Sequence, residues 1–178
     1  MAILSASGSH LLLIDFQARL MPAIHEGAKV TARAGKLLDG ARLMEVPRSF
    51  TEQIPDKLGH TVPDLAPQPG ETVLAKSRFD ACPETGLATQ IAPGHRIVVA
   101  GCEAHVCVLQ TVLGLLEAGR DVAVVADATG SRVPGDHEAA LARMARSGAE
   151  IVTTEMVLFE WLGGADHPAF REVIALIK

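Results

Sequence analysis

Apolar residues follow two kinds of pattern that alternate along the chain. Short apolar runs occur at 10–16 (H-L-L-L-I-D-F), at 97–99 within R-I-V-V-A-G, and at 121–127 (D-V-A-V-V-A-D). Runs of this length, rich in leucine and β-branched side chains, suit strands buried on both faces of a sheet. Weaker strands are expected at 46–51, which Pro47, Arg48 and Ser49 interrupt, and at 72–75 and 150–153. Between the runs, apolar positions recur at helical spacing. Val30, Ala34, Leu37, Leu38 and Ala41 predict a helix over 27–44, and Val108, Val112, Leu115 and Leu116 predict one whose first turn holds Cys107. Further helices are expected over 83–91, 137–147, 154–162 and 168–178, with Pro83 at a first-turn position and Gly148 and Gly163-Gly164 as stops.

Residues 52–70 contain Pro55, Pro63, Pro67 and Pro69 and read as one long excursion, the kind of loop that in a small domain tends to serve function. Strands alternating with helices through short connections predict an α/β fold: a three-layer α/β/α arrangement on a parallel sheet with right-handed crossovers. At 178 residues, without internal repeats or low-complexity tracts, the chain is expected to form one domain over 1–178.

Composition narrows the function. A hydrophobic fraction of 48% with 21% charged residues is that of a soluble globular protein, and aromatics at 3% leave little for stacking on nucleic-acid bases. The net charge of −5 and the lack of a Lys/Arg run argue against nucleic acid or an anionic membrane as partner, so a small-molecule ligand is expected. Residues 1–9 lack a basic region followed by a long apolar segment, and a cytoplasmic location is expected. Cys82, Cys102 and Cys107 are odd in number and show no C-x-x-C spacing, which predicts free thiols and neither metal nor other cofactor.

The stretch 96–118 carries the strongest chemical signal. A strand, a turn at Ala100-Gly101 and a helix would put Cys107 where unpaired backbone N–H groups and the helix dipole favour a thiolate. Taken alone, Cys107 reads equally well as a small buried hydrophobe. Two further groups tip the balance, because Asp15 and Lys76 also end apolar strands, and in open α/β sheets ligands bind at that end. A carboxylate to receive the thiol proton and an ammonium to stabilise the thiolate would complete a nucleophile, with the three groups about 3–5 Å apart in a cleft.

The segments L-L-L-I-D-F-Q (11–17), T-E-Q-I-P-D-K-L-G-H-T (51–61), L-A-K-S-R-F (74–79), V-A-G-C-E-A-H-V-C-V-L-Q-T (99–111) and V-V-A-D-A-T-G-S-R (124–132) resemble the isochorismatase-like cysteine hydrolase superfamily, in particular its isochorismatase-domain-containing and YcaC-like members. The resemblance implies a Rossmann-like sheet of about six parallel strands in the order 3-2-1-4-5-6, with Asp15, Lys76 and Cys107 as a catalytic triad. It further implies a cis peptide between Cys102 and Glu103, an oxyanion hole formed by the backbone N–H groups of Glu103 and Cys107, and a homo-oligomer. Nicotinamidases of this superfamily hold a metal through an Asp-x-His pair and a further His, whereas Thr51-Glu52-Gln53 supplies no such set. Isochorismatases proper cleave a vinyl ether without a cysteine nucleophile, so Cys107 points to acyl transfer.

Phe16, Gln17, Phe79 and His105 are possible pocket residues, as is His60 on the long loop, while packing explains each as well. The apolar C-terminal helices, with Phe159, Trp161 and Phe170, are interface candidates that could equally be core. The expected function is cysteine hydrolysis of a small amide or related C–N bond through a thioester, with a depressed Cys107 pKa and no metal requirement. A redox-active thiol, with Cys102 or Cys82 resolving Cys107, and a non-catalytic scaffold of the same fold are the alternatives.

Overall fold

The computed structural model describes residues 3–178. Six strands form one sheet: β1 (Ser9–Ile14), β2 (Arg48–Gln53), β3 (Thr72–Lys76), β4 (Arg96–Cys102), β5 (Val122–Gly130) and β6 (Glu150–Val152). All pairings are parallel and the order is β3-β2-β1-β4-β5-β6. The helices are α1 (Gly27–Leu43), α2 (Pro55–Leu58), α3 (Cys82–Thr85), α4 (Leu87–Gln90), α5 (Leu109–Glu117), α6 (Pro134–Arg146), α7 (Thr154–Leu162) and α8 (Phe170–Ile177).

Each strand's alternating side chains feed two apolar layers. Leu11, Leu13, Val98, Ala100, Ala123 and Val125 pack with α1, α7 and α8, while Leu12, Ile14, Ile97, Val99, Val122 and Val124 pack with α3 to α6. This two-sided burial explains the unbroken apolar runs of the central strands. The chain order reverses between β1 and β4, so the loops after these two strands diverge and open the crevice where α/β sheets hold their sites. The strands meet closely there: a Cβ on Gly101 would stand 2.5 Å from the Ile14 carbonyl oxygen, so this position requires glycine.

Several boundaries differ from those read in the sequence. β2 runs over Arg48–Gln53, not 46–51, because pairing with β1 starts only at Arg48 and pairing with β3 carries the strand on through Glu52 and Gln53. The excursion after β2 contains α2 and a 3-10 turn at Pro63–Leu65. The expected helix over 83–91 breaks at Gly86, whose φ of 67° leaves the right-handed helical region. β5 extends to Gly130 and α6 begins at Pro134. Among the described residues no helix is long and apolar enough to cross a membrane.

Candidate active site

Asp15 follows β1 and adopts φ 54°, in the left-handed region that short polar side chains tolerate better than most. Its backbone N–H donates to the Thr51 carbonyl at 3.1 Å, which ties the turn to β2. Both carboxylate oxygens are occupied: Thr51 Oγ1 donates to Oδ1 at 2.6 Å and Lys76 Nζ donates to Oδ2 at 2.6 Å. Lys76 ends β3, and its Nζ also donates to Gln53 Oε1 at 2.7 Å. The side chains of Asp15 and Lys76 are fully buried, so each charge depends on the other and on these hydrogen bonds.

The third group arrives from β4. The Cys102–Glu103 peptide bond is cis, and a π-helical turn, Ala104–Val108, then leads into α5. Cys107 therefore belongs to a π turn rather than to the first turn of an α-helix. Val106 and Val108 N–H groups donate to the Glu103 carbonyl at 3.0 and 3.2 Å, closing the turn. The Cys107 thiol lies where both the Asp15 carboxylate and the Lys76 ammonium act on it. The residue is 6% exposed, so the site is nearly closed rather than an open cleft.

The expected depression of the Cys107 pKa is not what this environment produces. Burial pushes the thiol up to about 12, the Asp15 charge adds to the rise, and Lys76 only partly opposes it. An ammonium and a helix dipole would favour a thiolate, but Lys76 is already paired with Asp15, Cys107 sits in a π turn and the surroundings are apolar. At rest the site holds a thiol, with a carboxylate beside it. Cys82 is also pushed up to about 12, by burial first and then by Asp80, and burial raises Cys102 as well.

The remaining candidates occupy other positions. Phe16 is 1% exposed within the core layer of α1, so it packs and lines no pocket. Gln17 is buried and acts as a strap: its Oε1 accepts from Gln53 N at 2.7 Å and its Nε2 donates to the Gly59 carbonyl at 2.6 Å. Phe79 is 51% exposed on the loop after β3, where its carbonyl accepts from Thr111 Oγ1 of α5 at 3.4 Å. His105 turns to the β5–α6 loop, with Nδ1 at 2.9 Å from Ser131 Oγ and Nε2 at 3.8 Å from Asp136 Oδ2. Glu103 accepts from Arg132 Nε of the same loop at 2.8 Å. His60 pairs with Glu52 at 2.9 Å and fastens the long loop. Trp161 is core, donating to Ser9 Oγ at 3.0 Å, whereas Phe159 is 47% exposed.

Thr51 and Gln53 were missed as site residues. Their signal lies in the register: parallel pairing sets Ile14 beside Thr51 and Gln53 beside Lys76, so alternate β2 side chains reach Asp15 and Lys76. The intervening Glu52 points the other way, to Thr61 N at 2.7 Å. Among the described residues no group of three or more His, Cys, Asp or Glu is placed to hold a metal ion.

The isochorismatase domain profile matches residues 9–156, most of the chain. The chain belongs to the isochorismatase family. Isochorismatase domain-containing protein 1 of Salmo salar is 39% identical over 166 residues, covering 92% of this chain, which spans only 59% of that relative's length. A solved structure described as the MAR1 ribonuclease of Caenorhabditis elegans superposes with a TM-score of 0.90 at 35% identity, covering 99% of this chain and 92% of the other. The Escherichia coli YcaC protein, described as an octameric hydrolase of unknown specificity, gives 0.88 at 27% identity, covering 99% and 88%. The six-stranded parallel order found here is that of the isochorismatase-like α/β fold.

Proposed function

We propose that this isochorismatase-family protein is a cysteine hydrolase that cleaves a small amide or related C–N bond, with Asp15, Lys76 and Cys107 as its catalytic residues. The observation that carries the reading is the fully buried Lys76–Asp15 pair meeting the Cys107 thiol. As sulfur attacks the substrate carbonyl, the thiol proton passes to the Asp15 carboxylate, so the sulfur turns anionic only as it forms the bond to carbon. Lys76 offsets the negative charge that remains nearby. Backbone N–H groups of Glu103 and Cys107 at the turn stabilise the oxyanion.

Collapse of the tetrahedral adduct breaks the C–N bond, and Asp15 returns the proton to the departing amine. Water then attacks the thioester while Asp15 takes its proton. The C–S bond breaks, and the proton restores the thiol. The near closure of the site around Cys107 favours small acyl groups. In the redox alternative a second cysteine must reach Cys107: Cys102 is fully buried in the other apolar layer, whereas Cys82 is half-buried against the layer of Cys107. The protein is proposed to assemble with copies of itself, as the YcaC protein does, and light scattering after gel filtration would check this.

A panel of small amides, hydroxamates and carbamoyl compounds, followed by intact-mass analysis, tests the reading. The expected result is turnover of at least one class, a trapped acyl adduct on Cys107, and activity unchanged by a chelator. Turnover that survives Cys107→Ser, or that a chelator abolishes and zinc restores, would overturn it.

A further inference from the structure

We infer that Gln53 is a positioning residue for the Lys76 ammonium, directing one of its N–H bonds to the Cys107 sulfur; the inference rests on the catalytic reading of Asp15, Lys76 and Cys107. A lysine side chain is a flexible stem ending in three equivalent donors. Held by Asp15 alone, the ammonium would settle on that carboxylate and turn its other donors freely. Here Asp15 Oδ2 takes one donor at 2.6 Å and Gln53 Oε1 takes the second at 2.7 Å, so two of the three directions are fixed beside a thiol on which the ammonium acts.

The Gln53 amide has no freedom of its own. Its Nε2 donates to the Ser77 carbonyl at 2.6 Å, its backbone N–H donates to Gln17 Oε1 at 2.7 Å, and its backbone carbonyl accepts from Gln17 Nε2 at 3.1 Å. The orientation is fixed by chemistry, since an ammonium can only donate and a carbonyl can only accept. The next residue, Ile54, lies in the left-handed region (φ 38°, ψ 67°), which β-branched residues rarely adopt, and its N–H donates to the Lys76 carbonyl at 2.9 Å. The chain thus holds a strained conformation at the point where β2 ends level with Lys76.

A neutral acceptor also has an electrostatic consequence. A second carboxylate at this position would flank the ammonium with negative charge on two sides and weaken its effect on the sulfur. The charged groups around this point include Asp15 after β1, Lys76 of β3 and Glu84 of α3, which binds Ser77 N at 2.8 Å and has Arg78 beside it. Glu52 of β2 is turned away to Thr61 and His60.

The test is the pH profile of Cys107 alkylation by iodoacetamide, read by mass for the wild type, Gln53→Glu, Gln53→Met and Asp15→Asn, with a thermal melt for each. Gln53→Glu is expected to slow alkylation about tenfold at pH 8, and Gln53→Met about fivefold. A purely structural role would lower the melting temperature and leave the alkylation profile in place. Either variant suffices if the other fails to fold. Wild-type profiles in the folded Gln53 variants, with a shifted Asp15→Asn profile, would overturn the role of Gln53 and leave the catalytic reading standing. An unshifted Asp15→Asn profile would bring down both.

Discussion

At the scale of single residues, the site is governed by the pairing of Asp15 with Lys76 beside the thiol. Asp15 and Lys76 neutralise each other in the interior, so Cys107 meets little net field and burial dominates its titration. Asp15→Asn reverses that balance. The amide keeps the size of the side chain, suits the left-handed backbone at this position and removes the negative charge that raises the thiol. Alkylation of Cys107 at pH 7 should then rise at least about tenfold, while hydrolysis falls by about 10²–10⁴ because the proton relay is gone. Faster alkylation with lost turnover is the signature to seek, and a variant that alkylates more slowly than wild type would refute the charge assignment.

Asp15, Lys76 and Cys107 were legible in the sequence because each is a lone polar or nucleophilic group following an apolar strand. Thr51 and Gln53 were not, because a polar pair in a weak strand acquires meaning only once the register is known. The same missing information hid the Cys107 environment. Spacing shows that an ammonium is near a thiol, but not that a carboxylate has already claimed it.

At the scale of elements, the central strands and the long helices followed the hydrophobic period closely, whereas the edges of the pattern shifted. β2 moved by two residues, and one expected helix became α3 and α4, because pairing and a left-handed glycine outweighed apolar spacing. Helix ends show how close the local choices are. α5 and α6 both close with a glycine in the left-handed position after the cap, Gly119 and Gly148, and with the paired hydrogen bonds of a Schellman motif. α1 closes with the same bonds, Val46 N to the Ala41 carbonyl at 2.8 Å and Glu45 N to the Arg42 carbonyl at 3.3 Å, yet its left-handed residue is the exposed Glu45 at φ 55°. Glycine carries no Cβ to strain there, so Glu45→Gly should stabilise the protein by about 1 kcal/mol and raise the melting temperature by about 2–4 °C. Calorimetry decides this, and a lower melting temperature would show that the Glu45 side chain contributes more than its backbone strain costs.

At the scale of the whole molecule, the sheet has two chemically distinct ends. The carboxyl end holds the proposed catalytic set, and the amino end holds buried polar groups that govern stability. His10 at the start of β1 is 8% exposed, with Nε2 at 3.0 Å from Ser49 Oγ. Burial lowers its pKa to about 4, and the charges of His95 and Arg120 add to the effect. An unfolded chain takes up a proton at this residue near pH 6.5, while the folded protein resists until about pH 4. Between those values the unfolded state binds more protons, so folding stability falls as pH drops from 6.5 to 4, by an amount on the order of 3 kcal/mol.

Other groups act in different windows or with the opposite sign. Glu71 is lowered to about 2, with Arg42 and Arg48 overcoming its burial, so its contribution is present above the unfolded pKa near 4.5 and fades as pH falls through about 2. His137 is lowered by burial and adds to the His10 window. His60 is raised by Glu52, so its contribution is complete below the unfolded value and is lost as pH rises through the folded one. Comparing wild type with His10→Gln isolates the buried histidine from these. Urea midpoints measured from pH 7.5 to 4 should fall steeply below pH 6.5 in the wild type and much less in the variant. Parallel slopes in that range would mean that His10 is not the residue through which acid loosens the sheet, and that its burial is relieved before the protein unfolds.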